Sequence, residues 1–310
     1  MSIPPLTTKQ LQAFNAVAEH GGFTRAAEAL GVTQPAVTTQ VRMLEKDRRV
    51  RLFERRGDGV FMTDAGRSLY TVTRRIFRLV RDADEVLGAA GGLQFGTLRL
   101  GIDSLQWSME VLAGFLRAYP AVRVSTLMGN ATATLRNLLD LRCDIAVVTL
   151  SAAVRAHLED VEVMRLARHR LRLLVPVGHP LAGAGPIGFD DLAGEAMILR
   201  EIGSETRRSC DEKFGATRKS PRILLELGSR EAVREAVAAG LGIAPMVAGE
   251  EGHDPRTAIV ELSDGATDTW ISVAWLSDRH EIPAVRGFAE VAASWTAGRP
   301  EFNTTIRPAG

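Results

Sequence analysis

The stretch from Phe23 to Leu44, FTRAAEALGVTQPAVTTQVRML, predicts two short helices joined by a tight turn. Thr24 stands where an N-cap is expected, and the Ala-rich run that follows ends at Gly31, a residue type that commonly terminates helices. Thr33 is expected to cap the second helix, and Pro35 lies in its first turn, where a missing N–H loses no hydrogen bond. With so short a connection, the pair is typical of a helix-turn-helix.

The second helix is predicted to have an apolar face and a polar face. Its apolar residues recur at spacings of three and four and are Ala36, Val37, Val41 and Leu44. The other side carries mainly polar residues, namely Gln34, Thr38, Thr39 and Arg42. Gln can pair with adenine, Thr with a thymine methyl, and Arg with guanine or phosphate, so this face suits the base edges of the major groove. A preceding helix with Leu11, Phe14 and Val17 would complete a three-helix core, which favours DNA binding over a merely solvated face.

A basic hairpin is predicted directly after this helix, in residues 50–63, VRLFERRGDGVFMT. Two short apolar pieces surround Arg55, Arg56 and the turn Gly57-Asp58-Gly59, which is typical of a wing that contacts phosphate or the minor groove. The residues predicted to contact DNA are therefore Thr24, Arg25, Thr33, Gln34, Pro35, Ala36, Thr38, Thr39, Arg42, Arg55 and Arg56.

One long helix of about 28 residues is predicted from Thr63 to about Ala90, because this stretch contains no Pro. Its apolar residues step alternately by three and four positions and are Leu69, Val72, Ile76, Leu79, Ala83 and Val86. Because that rhythm forms the seam between two packed helices, we expect a homodimer through this helix. The alternative is that the stripe packs against its own domain.

The basic charge is concentrated at the amino-terminal end. Residues 1–81 hold 14 Lys and Arg against 7 Asp and Glu, a net charge of +7, whereas the whole chain carries only +1. The remaining residues therefore carry a net charge of −6 and have no electrostatic reason to bind a polyanion. The two parts should have different functions, and nucleic acid should be bound by the first.

Strands and helices alternate through the remaining residues, about 91 to 310. A strand is predicted in residues 96–102, GTLRLGI, and a helix from about Trp107 to Tyr119. The later strands show little alternation, which suits a parallel sheet covered on both faces. About 220 residues exceed one compact core, so we expect two α/β lobes. A strand from Trp270 to Leu276 and a helix from Ile282 to Trp295 would return to the first lobe.

Two lobes imply a cleft, and in open α/β sheets ligands bind beyond the carboxyl ends of the strands. The polar residues predicted to line this cleft and bind a ligand are Asp103, Ser104, Asn130, Thr132, Thr149, Glu201, Ser204, Ser229 and Arg230. Converging helix N-termini favour an anionic group. The carboxylates expected to hold a cation on the same molecule are Asp103, Glu201 or Glu205, which suggests a zwitterion. The simpler alternatives are that Asn130 and Ser229 only cap helices and that Arg230 lies on a solvated face.

Residues 7–90 resemble the winged helix-turn-helix and linker helix of LysR-type transcriptional regulators. The resemblance rests on LQAFNAVAEHGGFTRAAEALGVTQPAVTTQVRMLEKDRRVRLFERR at residues 11–56 and on MTDAG at residues 62–66. The chain departs from the family pattern at residues 46–50, where KDRRV replaces the usual acidic residue and glycine. We expect this change to add phosphate-binding charge without altering the fold.

The resemblance implies an N-terminal all-α winged helix-turn-helix over residues 1–65 and a dimerising linker helix over residues 66–92. An α/β, two-lobed, periplasmic-binding-protein-like effector domain would follow over residues 93–310, with lobe I at about 93–162 and 269–310 and lobe II at about 163–268. The implied partners are double-stranded DNA with an interrupted palindrome as operator, a small-molecule effector, and further copies that form a homodimer and then a homotetramer.

Residues 225–245, LELGSREAVREAVAAGLGIAP, further resemble the subset of these regulators associated with aminoethylphosphonate catabolism. The expected effector is therefore 2-aminoethylphosphonate or a related aminophosphonate. The alternative is a different small carboxylate, amino acid or aromatic acid. Two other classes of function stay open as alternatives: a DNA-organising protein without an effector, and a small-molecule-binding protein or enzyme that acquired a basic arm.

The motifs of enzymes, metal sites and membrane proteins do not assemble in this sequence. The 6 His residues lack metal-ligand spacing, and no P-loop, nucleophile elbow or dinucleotide-binding glycine motif occurs, so we expect no catalysis, no cofactor and no metal. Cys143 and Cys210 are the only cysteines, and a redox switch between them stays open. Few cysteines, no leader-like start and no run of about 18 apolar residues predict a cytoplasmic protein without a membrane role.

Overall fold

The computed structural model describes residues 5–57, 59–90, 96–216 and 221–299. Along the chain these residues divide into two units, with the boundary between Leu87 and Gly88. The elements of the first unit are α1 (Thr8–His20), α2 (Phe23–Leu30), α3 (Gln34–Arg48), β1 (Phe53–Arg56), β2 (Gly59–Met62) and α4 (Asp64–Ala90).

Three helices and a hairpin share the core of the first unit. Val37, Val41 and Leu44 of α3 pack with Phe14 of α1 and Phe53 of β1, and all five are buried. The hairpin pairs β1 with β2 antiparallel, as expected of a wing. The predicted helix-turn-helix with a wing is therefore confirmed.

The start of α2 differs from the prediction. The helix begins at Phe23, and its N-cap is Gly22, which makes no side-chain capping bond. Thr24 therefore lies inside the first turn instead of capping it. The reason is that Gly21 adopts a left-handed conformation (φ 66°) as the cap of α1, so the chain reverses within two glycines and α2 begins early. Thr33 is the N-cap of α3, although its side chain makes no capping bond.

Helix α4 is 27 residues long and has two different sides. Leu69 and Tyr70 pack against the core of the first unit, and the buried Thr73 hydroxyl donates to Asn15 Oδ1 of α1 at 3.1 Å. Val72 and Leu79 are 54% and 53% exposed. The alternative that the apolar stripe packs on its own domain thus holds only at its beginning.

The second unit alternates strands and helices. Its first half contains β3 (Thr97–Ile102), α5 (Leu105–Ala118), β4 (Arg123–Met128), α6 (Ala131–Leu139), β5 (Ile145–Ser151), α7 (Ala152–Arg155) and β6 (Val161–Pro176). Its second half contains β7 (Ala196–Arg200), α8 (Glu205–Ala216), β8 (Arg222–Leu227), α9 (Arg230–Ala238), β9 (Ala244–Val247), β10 (Thr257–Leu276) and α10 (Pro283–Ala297).

The main sheet has the strand order β4-β3-β5-β10-β6-β9. Strand β3 is parallel to β4 and β5, whereas β10 is antiparallel to β5 and β6. The sheet is therefore mixed, whereas a parallel sheet was predicted. Strands β7 and β8 form a separate parallel pair, joined to the chain before β9 by a bridge between Met197 and Ile243.

Two lobes form around two hydrophobic cores. Residues such as Leu100, Phe115 and Phe288 fill the core of lobe I, and Leu173 and Phe189 fill a core of lobe II. The strands β6 and β10 have 16 and 20 residues and run through both lobes. The strand predicted from Trp270 to Leu276 covers only the last part of β10, whose middle contains Asp264 and Gly265, residue types that are common in turns. The fold class, a winged helix-turn-helix with a long helix followed by a two-lobed α/β domain, is confirmed.

Candidate DNA-binding surface and effector cleft

The polar face predicted on α3 is exposed. Gln34, Thr39 and Arg42 are exposed, while Val37 and Val41 are buried on the opposite side. The amide Nε2 of Gln34 donates to Thr38 Oγ1 at 2.8 Å. The structure thus places the predicted base-reading side chains of α3 on one accessible face.

The other predicted DNA contacts border this face. Thr24, Arg25 and Gln34 line a cavity of about 430 Å³ together with residues of the wing. Thr33, Pro35 and Ala36 are exposed at the start of α3. The backbone of Arg55 and Arg56 lies on β1, but their side chains lie outside the described structure.

The departure from the family pattern after α3 has a definite conformation. Arg49 caps the helix in a left-handed conformation (φ 51°), where glycine is usual. Glu45 Oε1 accepts hydrogen bonds from the backbone N–H groups of Leu52 at 2.7 Å and Phe53 at 3.2 Å. This carboxylate therefore ties the start of the wing to α3, a role that the sequence pattern did not indicate.

One side of the cleft joins the lobes at the start of α6. Asn130 caps this helix, since its Oδ1 accepts from the Ala133 N–H at 2.9 Å, and its Nδ2 donates to Glu201 Oε1 of lobe II at 3.1 Å. The Thr132 N–H donates to Gly203 O at 3.1 Å. Asn130 is therefore both a cap and a contact between lobes.

A cavity of about 540 Å³ lies along this contact. Its lining residues are Asn130, Thr132, Ala133, Arg136, Ile202, Gly203, Ser204, Glu205, Arg207, Arg208 and Asp211. The N-termini of α6 and α8 both open towards it, because Asn130 to Ala133 and Ser204 to Glu205 are the first residues of these helices. Such N-termini attract anions.

Arg230 joins the lobes on the other side of the cleft. Its guanidinium donates to Asp103 O at 2.6 Å and to Asp103 Oδ1 at 3.3 Å, and it pairs with Glu250 of its own lobe. Glu250 Oε1 in turn accepts from Ser104 Oγ at 2.5 Å. The Arg230 side chain is only 15% exposed, so the alternative that it lies on a solvated face is wrong.

Two backbone and electrostatic features complete this network. The Thr149 N–H donates to Asp103 Oδ2 at 3.1 Å, which satisfies the second carboxylate oxygen. Burial raises the pKa of Glu250, although Arg230 and the Ser104 hydroxyl act in the opposite direction. Asp103, Ser104 and Thr149 are buried inside the network and not free to meet a ligand in this conformation.

The carboxylates expected to hold a ligand cation are already paired within the protein. Arg230 pairs with Asp103, Arg200 pairs with Glu201 at 2.9 Å, and Arg208 pairs with Glu205. Burial acts to raise the pKa of Glu201, but the bonds from Arg200 and Asn130 outweigh it and hold this pKa below its usual value. In this structure none of these three carboxylates is therefore left unpaired to bind the cation of a zwitterionic ligand.

The remaining predicted residues have simpler positions. Ser229 is exposed and caps α9, since its Oγ accepts from the Ala232 N–H at 3.1 Å. Ser204 is buried at the start of α8. Sequence reasoning missed Glu250 and Arg208 because their partners are distant in sequence or unmarked by any motif. It also missed His169, which lies buried on β6.

Both cysteines are buried in the second unit. Burial raises the pKa of Cys143 to about 12 and also raises the pKa of Cys210, so neither forms a reactive thiolate readily. Among the described residues no group of His, Cys, Asp and Glu is arranged to hold a metal ion. In the same part of the chain no helix is both long and apolar enough to span a bilayer.

Both units match models of one protein family. Residues 8–67 match the bacterial regulatory helix-turn-helix protein of the lysR family, and residues 91–297 match the LysR substrate binding domain. The chain is 33% identical over 301 residues to the HTH-type transcriptional regulator CbbR of Sinorhizobium medicae, covering 93% of each chain. It is 32% identical over 240 residues to the RuBisCO operon transcriptional regulator of Allochromatium vinosum, covering 77% of this chain and 78% of that relative.

A solved structure resembles the second unit. The regulatory domain of CcmR from Synechocystis PCC6803, in complex with 2-PG, is 25% identical with a TM-score of 0.59, and the match covers 66% of this chain and 99% of that one. The curated relatives are transcriptional regulators and not enzymes, which confirms the non-enzymatic expectation, but their names give the phosphonate expectation no support. With both family models matched along its length, the chain belongs to the LysR family of transcriptional regulators.

Proposed function

We propose that this regulator responds to a small anionic effector, a carboxylate or a phosphate ester, bound between the lobes. One observation carries the proposal: the N-termini of α6 and α8 open to one cavity, and the carboxylates expected to bind an amine are already paired with arginines. The lining of this cavity holds Arg136, Arg207 and Arg208 against Glu205 and Asp211, so it keeps a net positive charge of one although Arg207 and Arg208 are paired with carboxylates. This arrangement suits an anion and offers no free partner to an amine.

The comparison with CcmR supports the alternative effector over the aminophosphonate. That regulatory domain was solved with 2-PG, and the curated relatives are CbbR and a RuBisCO operon regulator. We therefore favour an effector other than 2-aminoethylphosphonate. Since such a regulator must reach chromosomal DNA, we also propose a cytoplasmic location.

Thermal stabilisation of the full chain tests the effector class, because a ligand that binds the folded state raises its melting temperature. The panel contains 2-PG, shikimate, malate, inorganic phosphate, several amino acids and 2-aminoethylphosphonate. We expect an anion without an amine to give the largest rise. A selective rise with 2-aminoethylphosphonate would restore the original expectation and overturn the present one.

We propose that α3 reads the operator through Gln34, Thr38, Thr39 and Arg42. Gln34→Ala should weaken binding to the cognate operator by about 1–3 kcal/mol and leave binding to random DNA nearly unchanged. Gln12→Ala, which removes an exposed Gln from α1, is the matched control and should change neither affinity. Equal weakening of cognate and random DNA by Gln34→Ala would exclude base reading by this side chain.

We propose that two copies dimerise along α4 and that dimers associate into tetramers. The exposed apolar side chains of this helix support the dimer, since Val72, Ile76 and Leu79 leave a stripe uncovered within the chain. Two recognition helices would then face the half-sites of an interrupted palindrome. The effector must bind one arrangement of the lobes better than another, because equal affinities would shift no equilibrium.

A further inference from the structure

His169 is a buried imidazole in the region that joins the two lobes. It lies near the middle of β6 and is 1% exposed. Its neighbours in the strand, Arg168 and Arg170, pair with Trp270 and Ala266 of β10, between which the ladder shifts register. The positive charges of Arg230 and Arg208, which approach from α9 and α8, act on the imidazole. His169 therefore lies in the part of β6 where the chain passes from one lobe to the other, and the charges of both arginines act on it.

A chain of hydroxyl groups determines which ring nitrogen carries the hydrogen. Thr267 Oγ1 lies 2.6 Å from His169 O, 3.2 Å from His169 Nδ1 and 2.7 Å from Thr269 Oγ1. A carbonyl oxygen only accepts, so the single hydrogen of Thr267 goes to His169 O. The other two contacts must then donate to Thr267, and the imidazole does so with Nδ1–H.

The other ring nitrogen is an acceptor. Burial lowers the pKa of His169 to about 3, and the charges of Arg230 and Arg208 act in the same direction, so the ring is neutral. With the hydrogen on Nδ1, Nε2 presents a lone pair. Among the described residues this buried nitrogen has no hydrogen-bond partner, whereas most buried polar atoms in proteins have one.

We propose that His169 Nε2 accepts a hydrogen bond from a hydroxyl group of the effector, so that the cleft selects small anions that carry a hydroxyl. This inference rests on the proposed anionic effector. The anion would be attracted by the helix N-termini, and its hydroxyl would satisfy Nε2, a buried acceptor for which the described residues provide no partner. Because the imidazole is buried, an effector can reach Nε2 only if the residues that cover the ring move.

Two pairs of probes that each differ by one hydroxyl test the inference on the full chain. They are malate with succinate, and 3-phosphoglycerate with 3-phosphopropionate, titrated calorimetrically. We expect the wild type to prefer a hydroxylated member by about tenfold or more, the equivalent of one buried hydrogen bond. His169→Phe removes the acceptor and should abolish this preference, whereas His157→Phe, the same change at an exposed imidazole, should preserve it.

The melting temperature separates recognition from a structural role. If His169 only supports the fold, His169→Phe should lower the melting temperature and weaken both members of a pair alike, which would overturn the inference. We expect instead a melting temperature close to that of the wild type, because the variant loses the bond from Nδ1 to Thr267 but also loses an unpaired buried acceptor. A preference that survives in His169→Phe, or no preference in the wild type, overturns the inference while the anionic effector stands. Binding of none of the four probes would overturn both proposals.

Discussion

At the scale of single residues, Arg230 connects two lobes that have separate cores. It is the shared cation of Asp103, across the cleft, and of Glu250, within its own lobe. Buried carboxylates need such a partner, since an unpaired buried charge is strongly unfavourable. The stability of the second unit should therefore depend on this one side chain more than on any exposed arginine.

Arg230→Met should lower the free energy of unfolding by about 3–5 kcal/mol, because it leaves the two carboxylates buried without a cation. Urea unfolding followed by tryptophan fluorescence measures this change for the second unit, which holds all 4 Trp residues. Arg256→Met is the matched control, since Arg256 pairs with Asp254 and Glu235 in solvent and its loss should have little effect. Equal losses in both variants would contradict a special role for Arg230.

The buried His169 predicts a specific dependence of stability on pH. Its pKa in the folded state is about 3, below the ordinary value of 6.5. Between pH 6.5 and 3 this imidazole therefore binds a proton in the unfolded chain but stays neutral in the folded chain. The wild type should lose about 1.4 kcal/mol per pH unit from this group as the pH falls from 6.5 towards 3. Between pH 6.5 and 4.5 the His169→Phe variant should therefore gain about 3 kcal/mol on the wild type in urea unfolding. A difference that does not change with pH would show that folding does not lower the pKa of this imidazole.

At the scale of elements, α4 is the helix whose apolar surface exceeds what its own unit covers. Leu69 and Tyr70 are used by the core, but Val72, Ile76 and Leu79 are 38% or more exposed. A helix with such a stripe gains stability mainly by packing against another apolar surface. The proposed seam therefore begins beyond the residues that hold α4 to the first unit.

Leu79→Glu should convert the proposed dimer into a monomer, because it puts a charge in the middle of the proposed seam. Sedimentation equilibrium measures the change in mass, and circular dichroism should show that the helix content is kept. Thr71→Glu introduces the same charge at an exposed position outside the stripe and should leave the dimer intact. If Leu79→Glu sediments like the wild type, another surface holds the copies together.

Elements with local signals could be predicted well, and contacts between distant elements could not. Pro35, Gly31 and the spacing of Val37 and Val41 describe α2 and α3 because caps, turns and helix faces depend on neighbouring residues. The length of β10 was underestimated because its crossing between lobes contains residues typical of turns. Arg230 and Asp103 are 127 residues apart, and no pattern of neighbouring residues in a single sequence indicates that they pair.

At the scale of the whole molecule, the lobes of the second unit meet through a few backbone-dependent contacts. Gly203 has a left-handed conformation (φ 98°), and its carbonyl accepts from the Thr132 N–H of the other lobe. A Cβ at this glycine would lie 3.1 Å from Asn130 Nδ2, closer than ordinary contact. The contact between lobes therefore requires glycine for its conformation and for its space.

Gly203→Ala should loosen the contact between lobes, since the added methyl group pushes against Asn130. Hydrogen exchange of the Thr132 amide should become faster as its bond to Gly203 O weakens. Gly194→Ala is the control, because Gly194 also has a positive φ (83°) but has open space where a Cβ would lie. Both variants should lose about 1 kcal/mol of stability from backbone strain, but only Gly203→Ala should accelerate Thr132. Equal acceleration in both would mean that strain, and not the contact, controls this amide.

The two long strands that run through both lobes determine what kind of movement the second unit permits. Strands β6 and β10 are hydrogen-bonded to each other in lobe I and in lobe II, so the lobes share a two-stranded ribbon in place of a flexible linker. A ribbon resists bending in its own plane but twists, and it twists most where its ladder is interrupted, between Glu261 and Trp270. A ligand bound between the lobes should therefore change the twist of this ribbon, so that the far ends of the two lobes rotate in opposite directions.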